Sequence, residues 1–318
     1  MEVPKSSVHI LLLLVVGIAC ISSFTSTTSN TTQGQGLPTP QSSTASTPTN
    51  GLHGSCQGVN LPDATRSIST GVDVFVRDLT CKWKGNASLP EEFLIEMEQN
   101  IRRLVDSSLK AYLNQQGSSE SSANVLEIFG TLDGLNLGNY SDPAFIRLWF
   151  SLKMAPLLPY AGESFLVQLG NQNFSCSSYQ ELMKSVTKEL QTIQGIDRKL
   201  IYSNFIKVCL SRKNSPEPGC AEIRTGSEEW LQRNIGVFFL FATLQELKEM
   251  NKNFSAIEVV DKLSPQQKAE LILDPDSGAL EDANFVREVL ANLKLSGRDE
   301  QLSQFFQTFV QISQQVNH

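Results

Sequence analysis

The chain has 318 residues, 40% of them apolar and 19% charged, and a formal net charge of −7. That is ordinary globular composition, long enough for one or two domains. The negative balance speaks against a nucleic-acid partner, because neutralising phosphates takes a basic face. Arg198, Lys199, Lys207, Arg212 and Lys213 are the densest basic group, and apolar helix positions dilute them into a solvated face.

Residues 1–22 have Lys5 in a short polar start, an apolar run from Ile10 to Val16, and small residues at Gly17, Ala19 and Ser22. This is the layout of a secretory signal peptide, and the run is too short to span a bilayer. The expected location is therefore outside the cell, secreted or associated with the cell surface. Residues 23–54 are almost wholly Ser, Thr, Pro, Gly, Gln and Asn, which offers too little apolar surface to offset the entropy of ordering. They read as a disordered stalk, mucin-like in its Ser/Thr density and its prolines.

An all-helical domain is expected over 55–318, divisible into sub-units 55–163 and 164–318. Val72-Asp73-Val74-Phe75-Val76 fits either a short strand or a helix turn. Ser88, Pro90 and Glu91 open a long helix in which Phe93, Met97, Ile101, Leu104, Val105 and Tyr112 keep a 3.6-residue period. A short helix over 124–132 and a turn over 134–140 follow. Asp142 and Pro143 then cap a helix with Phe145, Leu148, Trp149 and Leu152, which Pro156 and Pro159 close. Ser164 to Leu169 reads as a short apolar turn.

The stretch from Asn173 to Met250 carries three amphipathic segments. Ser178 and Glu181 stand at capping-box spacing before Tyr179, Leu182, Met183, Val186 and Leu190. A second helix runs from about Lys199 to Arg212 with Ile201, Phe205 and Cys209 on its stripe, and ends at Asn214-Ser215-Pro216-Glu217-Pro218-Gly219. Ser227 opens a third, with Trp230 and Leu231 inward and Gly236 at its end; Thr243 and Glu246 box the next start. The run Phe238-Phe239-Leu240-Phe241 reads as core packing behind Trp230, against the rival reading of an exposed contact patch. Farther on, Ser264, Pro265 and Gln267 cap one helix, Asp282 precedes another, and Leu302 to Ile312 form the last. Short helices with hardly any period-2 runs predict an all-α fold, and helix pairs at intervals favour a superhelical, armadillo-like stack over a closed bundle. The chain ends without an apolar tail, so neither a lipid anchor nor a membrane span is expected.

Setting aside Cys20 in the leader, five cysteines remain, an odd number that leaves one thiol unpaired. Cys176 with Cys220 and Cys56 with Cys81 are the natural pairs. Cys209, on an inward stripe, is the unpaired candidate, with a Cys209–Cys220 bridge as the rival. Five Asn-x-Ser/Thr acceptors, at Asn30, Asn86, Asn139, Asn173 and Asn253, lie beyond the leader, and glycosylated acceptors mark exposed positions.

The only histidines are His9, His53 and His318. None lies in the body, so Ser-His and Cys-His nucleophile systems and His-bearing zinc sites are disfavoured. Asp274-Pro-Asp276-Ser-Gly278 departs from calcium-loop spacing and reads as a turn with a helix cap. Neighbouring acids such as Glu228-Glu229 belong to first helix turns, which their charge favours. No metal, cofactor or catalytic residue is expected.

The wording Trp230-Leu231-x-x-Asn234-Ile235-Gly236-x-Phe238 with a capped Leu244-x-x-Leu247, and the Leu263-Ser264-Pro265 start, resembles repeats of the mesothelin, stereocilin and otoancorin family. The likeness covers about residues 164–312. It implies a superhelix of short helices in a secreted or surface-anchored glycoprotein of cell or matrix adhesion, with no catalytic residues. The expected function is thus non-catalytic adhesion through contact with an extracellular or cell-surface protein or glycan. A structural gel or coat linked through the odd cysteine is the alternative, and a hydrolase working by carboxylates alone a more distant one.

Overall fold

The computed structural model describes residues 61–85, 91–116, 132, 135–191, 197–215, 217–221, 226–295 and 299–316, and every regular element among them is helical. In chain order these are α1 (Leu61–Gly85), α2 (Glu91–Gln116), α3 (Leu137–Tyr140), α4 (Pro143–Trp149), α5 (Glu163–Gly170), α6 (Cys176–Glu189) and α7 (Arg198–Ile201). Then follow α8 (Lys207–Leu210), α9 (Ser227–Asn234), α10 (Leu244–Met250), α11 (Pro265–Leu273), α12 (Ala283–Leu295) and α13 (Asp299–Val316), with 3-10 and π turns between. The chain forms two compact units, Met1–Leu135 with Leu148–Tyr160, and Asn136–Arg147 with Ala161–His318. The expected leader, the expected stalk and most of the helix expected over 124–132 lie outside the described residues.

In the first unit, the stretch around Val72 is helical. Ser69, Val72, Val76 and Thr80 are buried on one stripe of α1, three to four residues apart, where a strand would have buried every second residue. On α2, Ile101, Val105 and Leu109 are buried at four-residue spacing. Both helices pack on the segment after Trp149, which continues as a π turn (Phe150–Met154) and a 3-10 turn (Ala155–Tyr160). Pro156 therefore does not close the helical path, which ends at Tyr160, one residue after Pro159. Pro156 falls in the first turn of the 3-10 segment, where a missing N–H costs nothing.

Inside this unit Lys153 is fully buried and faces Asp73. Its Nζ donates to Asp73 Oδ1 at 2.9 Å and to Oδ2 at 2.7 Å, while Trp149 Nε1 donates to Oδ1 at 3.0 Å. Burial pushes the Asp73 carboxyl above its ordinary value, and the Lys153 ammonium pulls it back. Two charges out of water are tolerated only because each satisfies the other.

The second unit is organised by caps. Asn136 and Asn139 form a reciprocal box that makes α3 a one-turn helix where a turn was expected. Asp142 Oδ1 accepts from Ala144 N and Phe145 N and starts α4. The apolar 164–169 stretch is helical, as α5. Ser175, not Ser178, caps α6; Ser178 donates its N–H to Ser175 Oγ and is itself buried. The boxes at Thr243/Glu246 and Ser264/Gln267 form as expected.

The core of this unit gathers Tyr179, Leu182, Met183 and Val186 from α6, Phe205 and Ile206 from the π turn between α7 and α8, and Trp230 and Leu231 from α9. A further cluster of Ala269, Ile272, Val289, Leu293 and Phe305 ties α11, α12 and α13 together. Cys176 and Cys220 form a disulfide with Cα atoms 5.4 Å apart, closing 44 residues of chain. By loop-closure entropy that is worth about 4 kcal/mol.

The buried pair makes a direct prediction. Asp73→Asn and Lys153→Met should each destabilise the protein by about 3–5 kcal/mol, since each removes the opposite charge that directly compensates a buried one. The double variant removes both charges and keeps an acceptor for Trp149, so it should cost less than either single change. Urea unfolding of the four proteins measures this, and additive costs would refute it.

Candidate functional site

Among the described residues no group of His, Cys, Asp and Glu is placed to hold a metal ion. The acids that do converge belong to helix starts. Glu246 Oε2 accepts from Tyr202 OH at 2.8 Å and from Thr243 N at 3.0 Å, and its Oε1 accepts from Lys207 Nζ at 2.6 Å. Glu270 Oε2 accepts from Leu244 N at 2.7 Å, and its Oε1 from Gln266 Nε2 at 3.2 Å. All four carboxylate oxygens are thus occupied; Leu244 N ties α10 to α11, and Tyr202 and Lys207 tie α10 to the π turn after α7 and to the start of α8. Burial opposes the charge on Glu246, but hydrogen bonds from Lys207, Thr243 and Tyr202 hold its carboxyl below the ordinary range. Burial pushes Glu270 up, only partly offset by its two donors.

The calcium-like stretch is a turn. Asp274 caps a short 3-10 segment by accepting from Asp276 N, Gly278 takes a positive φ of 62°, and Lys248 pairs with Asp274. Of the basic group, Arg198, Lys199 and Lys213 are exposed, whereas Lys207 pairs with Glu246 and Arg212 donates to Gln172 O and Asn173 Oδ1.

The expected modification sites separate clearly. Asn173 and Asn253 are exposed at the ends of turns. Asn139 is buried inside α3, with its Oδ1 accepting from Asn136 N, so a folded chain does not present it. Asn30 and Asn86 lie outside the described residues. Cys81 is free and exposed, and Cys56, the partner expected for it, lies outside the described residues. Cys209 is free, and burial pushes its thiol up to about 12. Its stripe points inward as the sequence indicates, and Cys220 is already bonded to Cys176.

What remains is a surface feature. The 3-10 helix Gly236–Phe241 buries Phe238 completely but exposes Val237 by 44%, Leu240 by 51% and Phe241 by 40%. The run is thus half core and half surface, not the wholly packed segment expected. Three residues per turn put Val237 and Leu240 on one edge and turn Phe238 away from it.

The ridge is held at both ends. Asn234, at the end of α9, offers its carbonyl to Tyr179 OH at 2.7 Å and its Oδ1 to Gln180 Nε2 at 3.1 Å. Gly236 then takes φ 57°, in a turn where a Cβ would stand 3.3 Å from Thr187 Oγ1. At the far end the buried Gln267 donates Nε2 to Phe239 O at 2.7 Å and to Ala242 O at 2.8 Å.

The elements packed beside the ridge are α6, α7 and α9. They bring the exposed cations Lys188, Arg198 and Lys199, which make no ion pair among the described residues. Acids on the same elements are engaged: Glu181 pairs with Lys184, Glu229 with Arg233, Glu228 with Lys262, and Asp197 caps Leu200. An apolar edge whose neighbouring elements carry exposed cations can hold an apolar, acidic segment by contact. Sequence reading missed the exposed half because a four-residue apolar run looks the same whether one or four of its side chains are buried.

No protein-family model matches the chain, and no curated protein or solved structure matches it either.

Two measurements check these assignments. Glu246→Gln should lower stability by about 1 kcal/mol at pH 7. A depressed carboxyl contributes stability that is fully present above its ordinary value of 4.5 and is lost as pH falls through the lower folded value, so the difference from wild type should shrink at pH 3. A difference unchanged between pH 7 and pH 3, followed by denaturant unfolding, would contradict it. In the native protein at pH 8, iodoacetamide should label Cys81 at least about 100-fold faster than Cys209, and unfolding should abolish the contrast; peptide mass spectrometry reads both sites.

Proposed function

We propose that this chain is a secreted, N-glycosylated protein that acts without catalysis in cell–cell or cell–matrix adhesion. Its short helices form an armadillo-like superhelical stack, and the Gly236–Phe241 ridge meets an extracellular or cell-surface partner. The observation that carries the reading is the ridge itself. Val237, Leu240 and Phe241 stay in water although the turn bearing them is clamped from both ends, a cost in hydration with no return inside the fold.

Other features agree. The Cys176–Cys220 disulfide suits an oxidising compartment, which the signal-peptide layout of residues 1–22 supplies. Exposed Asn173 and Asn253 suit glycans on turns, away from the helix faces. The stalk over 23–54 would hold the helical body off the surface it serves. The resemblance to the mesothelin, stereocilin and otoancorin family points the same way, through Trp230, Asn234, Gly236 and the capped Leu244 and Leu247.

A second reading is supported by the exposed, free thiol of Cys81: a structural component of an extracellular gel or coat, with chains linked through that cysteine. Electrophoresis without reductant separates the two. A disulfide-linked dimer that Cys81→Ser abolishes supports linkage through that cysteine, and a monomer band supports the adhesive reading.

The adhesive reading is tested with purified glycoprotein coated on a plate. Cell attachment should be saturable, and Val237→Asp with Leu240→Asp should weaken it about 10-fold or more without changing the thermal midpoint, since both side chains already face water. Attachment that never saturates, or that ignores the double substitution, overturns the assignment.

A further inference from the structure

The last helix carries a second, half-exposed apolar stripe, distinct from the ridge. In α13 the inner seam of Leu302, Phe305 and Phe309 packs on α11 and α12, with Phe305 only 2% exposed. About 100° round the helix lies another seam, Ser303, Phe306, Val310 and Ser313. Here Phe306 is 51% and Val310 49% exposed. The spacing is three, four, three, the heptad spacing of helices that pair side by side.

Three properties of this seam specify its partner. It reads the same from either end: small, large, large, small. Antiparallel pairing about a two-fold axis between Phe306 and Val310 therefore sets Phe306 of one copy against Val310 of the other, and Ser303 against Ser313. Next, no Asp, Glu, Lys or Arg occurs from Gln301 to the end of the sequence, although the whole chain carries −7. Two copies can approach along this face without like-charge repulsion, while a charged partner would gain nothing from it. Finally, the acids of α13, Asp299 and Glu300, stand at its first turn. A parallel pair would place them together, whereas an antiparallel pair sends them to opposite ends and opposes the helix dipoles favourably.

We propose that the chain forms an isologous dimer in which α13 of one copy packs antiparallel on α13 of a second copy, with Phe306 and Val310 at its centre. Such a contact is self-complementary and closed, so it stops at two chains. Pairing doubles the number of recognition ridges per particle, which raises the avidity of any surface contact without a new interaction at the ridge itself.

The test is analytical ultracentrifugation of the full secreted protein with its free thiols alkylated, at concentrations up to about 100 µM. The expected result is a reversible monomer–dimer equilibrium. Phe306→Glu should weaken it about 100-fold or more while the circular dichroism stays that of the folded chain, so that lost association and not lost fold is read, even though the Phe306 ring also stands edge-on to Phe305 at 5.2 Å. Orientation is read by two double variants. Ser303→Glu with Ser313→Glu sets like charges opposite each other and should give monomer. Ser303→Lys with Ser313→Glu sets opposite charges together only in an antiparallel pair and should keep the dimer. A wild-type protein that stays monomeric, a dimer indifferent to Phe306→Glu, or loss of dimer in the Lys/Glu variant each overturns the proposal.

Discussion

The second unit depends on the passage through Gly219 and Cys220. Both residues have positive φ, 64° and 50°, in the left-handed region that only glycine enters freely. A Cβ at Gly219 would stand 1.7 Å from Met250 O, so no other residue fits beneath the end of α10. The carbonyl of Gly219 accepts from Trp230 Nε1 at 3.0 Å, and the Trp230 ring is fully buried. One residue on, the strained Cys220 is fixed by its bond to Cys176 at the start of α6. Three elements remote in sequence therefore meet at two residues. The disulfide's estimated 4 kcal/mol is a large share of a typical net stability of about 5–15 kcal/mol.

The two units treat buried polarity differently. In the first, a full ion pair is enclosed with Trp149 as a third member, and the arrangement stands only while both charges are present. In the second, polar side chains act mainly on backbone ends. Tyr179 closes α9, Glu246 and Glu270 start α10, and Gln267 ends the 3-10 ridge. Short helices have a high proportion of unsatisfied end groups, so a body built of them needs many such partners. The same partners fix the ridge in place: a turn clamped at both ends cannot roll its exposed residues inward.

Local signals served well where the determinant was itself local. The boxes at Thr243/Glu246 and Ser264/Gln267 and the cap at Asp142 lie within a few residues of what they control, and they form as written, while the helix expected to reach about Arg212 stops at Leu210. The errors arise where a distant contact decided between local options. Ser178 had capping spacing to Glu181, but Ser175 took the cap and Ser178 was drawn into the interior. Val72 to Val76 is an open choice and not an error: it fitted strand or helix, and it is the helix, with Asp73 facing inward to meet Lys153, that forms. Asn139 carries the acceptor pattern for a glycan, but the pattern says nothing of burial.

Taken alone, the sequence determined the all-α class and most of the caps and stops, because apolar period and end chemistry are properties of neighbouring residues, and it left Cys220 open to Cys176 or Cys209 until the structure paired it with Cys176. Only the tertiary structure decided which half of Val237 to Phe241 reaches water, which asparagines are presented, and that Asp73 and Lys153 share one interior. Those outcomes depend on what packs from tens of residues away, and burial is a property of the assembled surface that no local stretch of chain encodes.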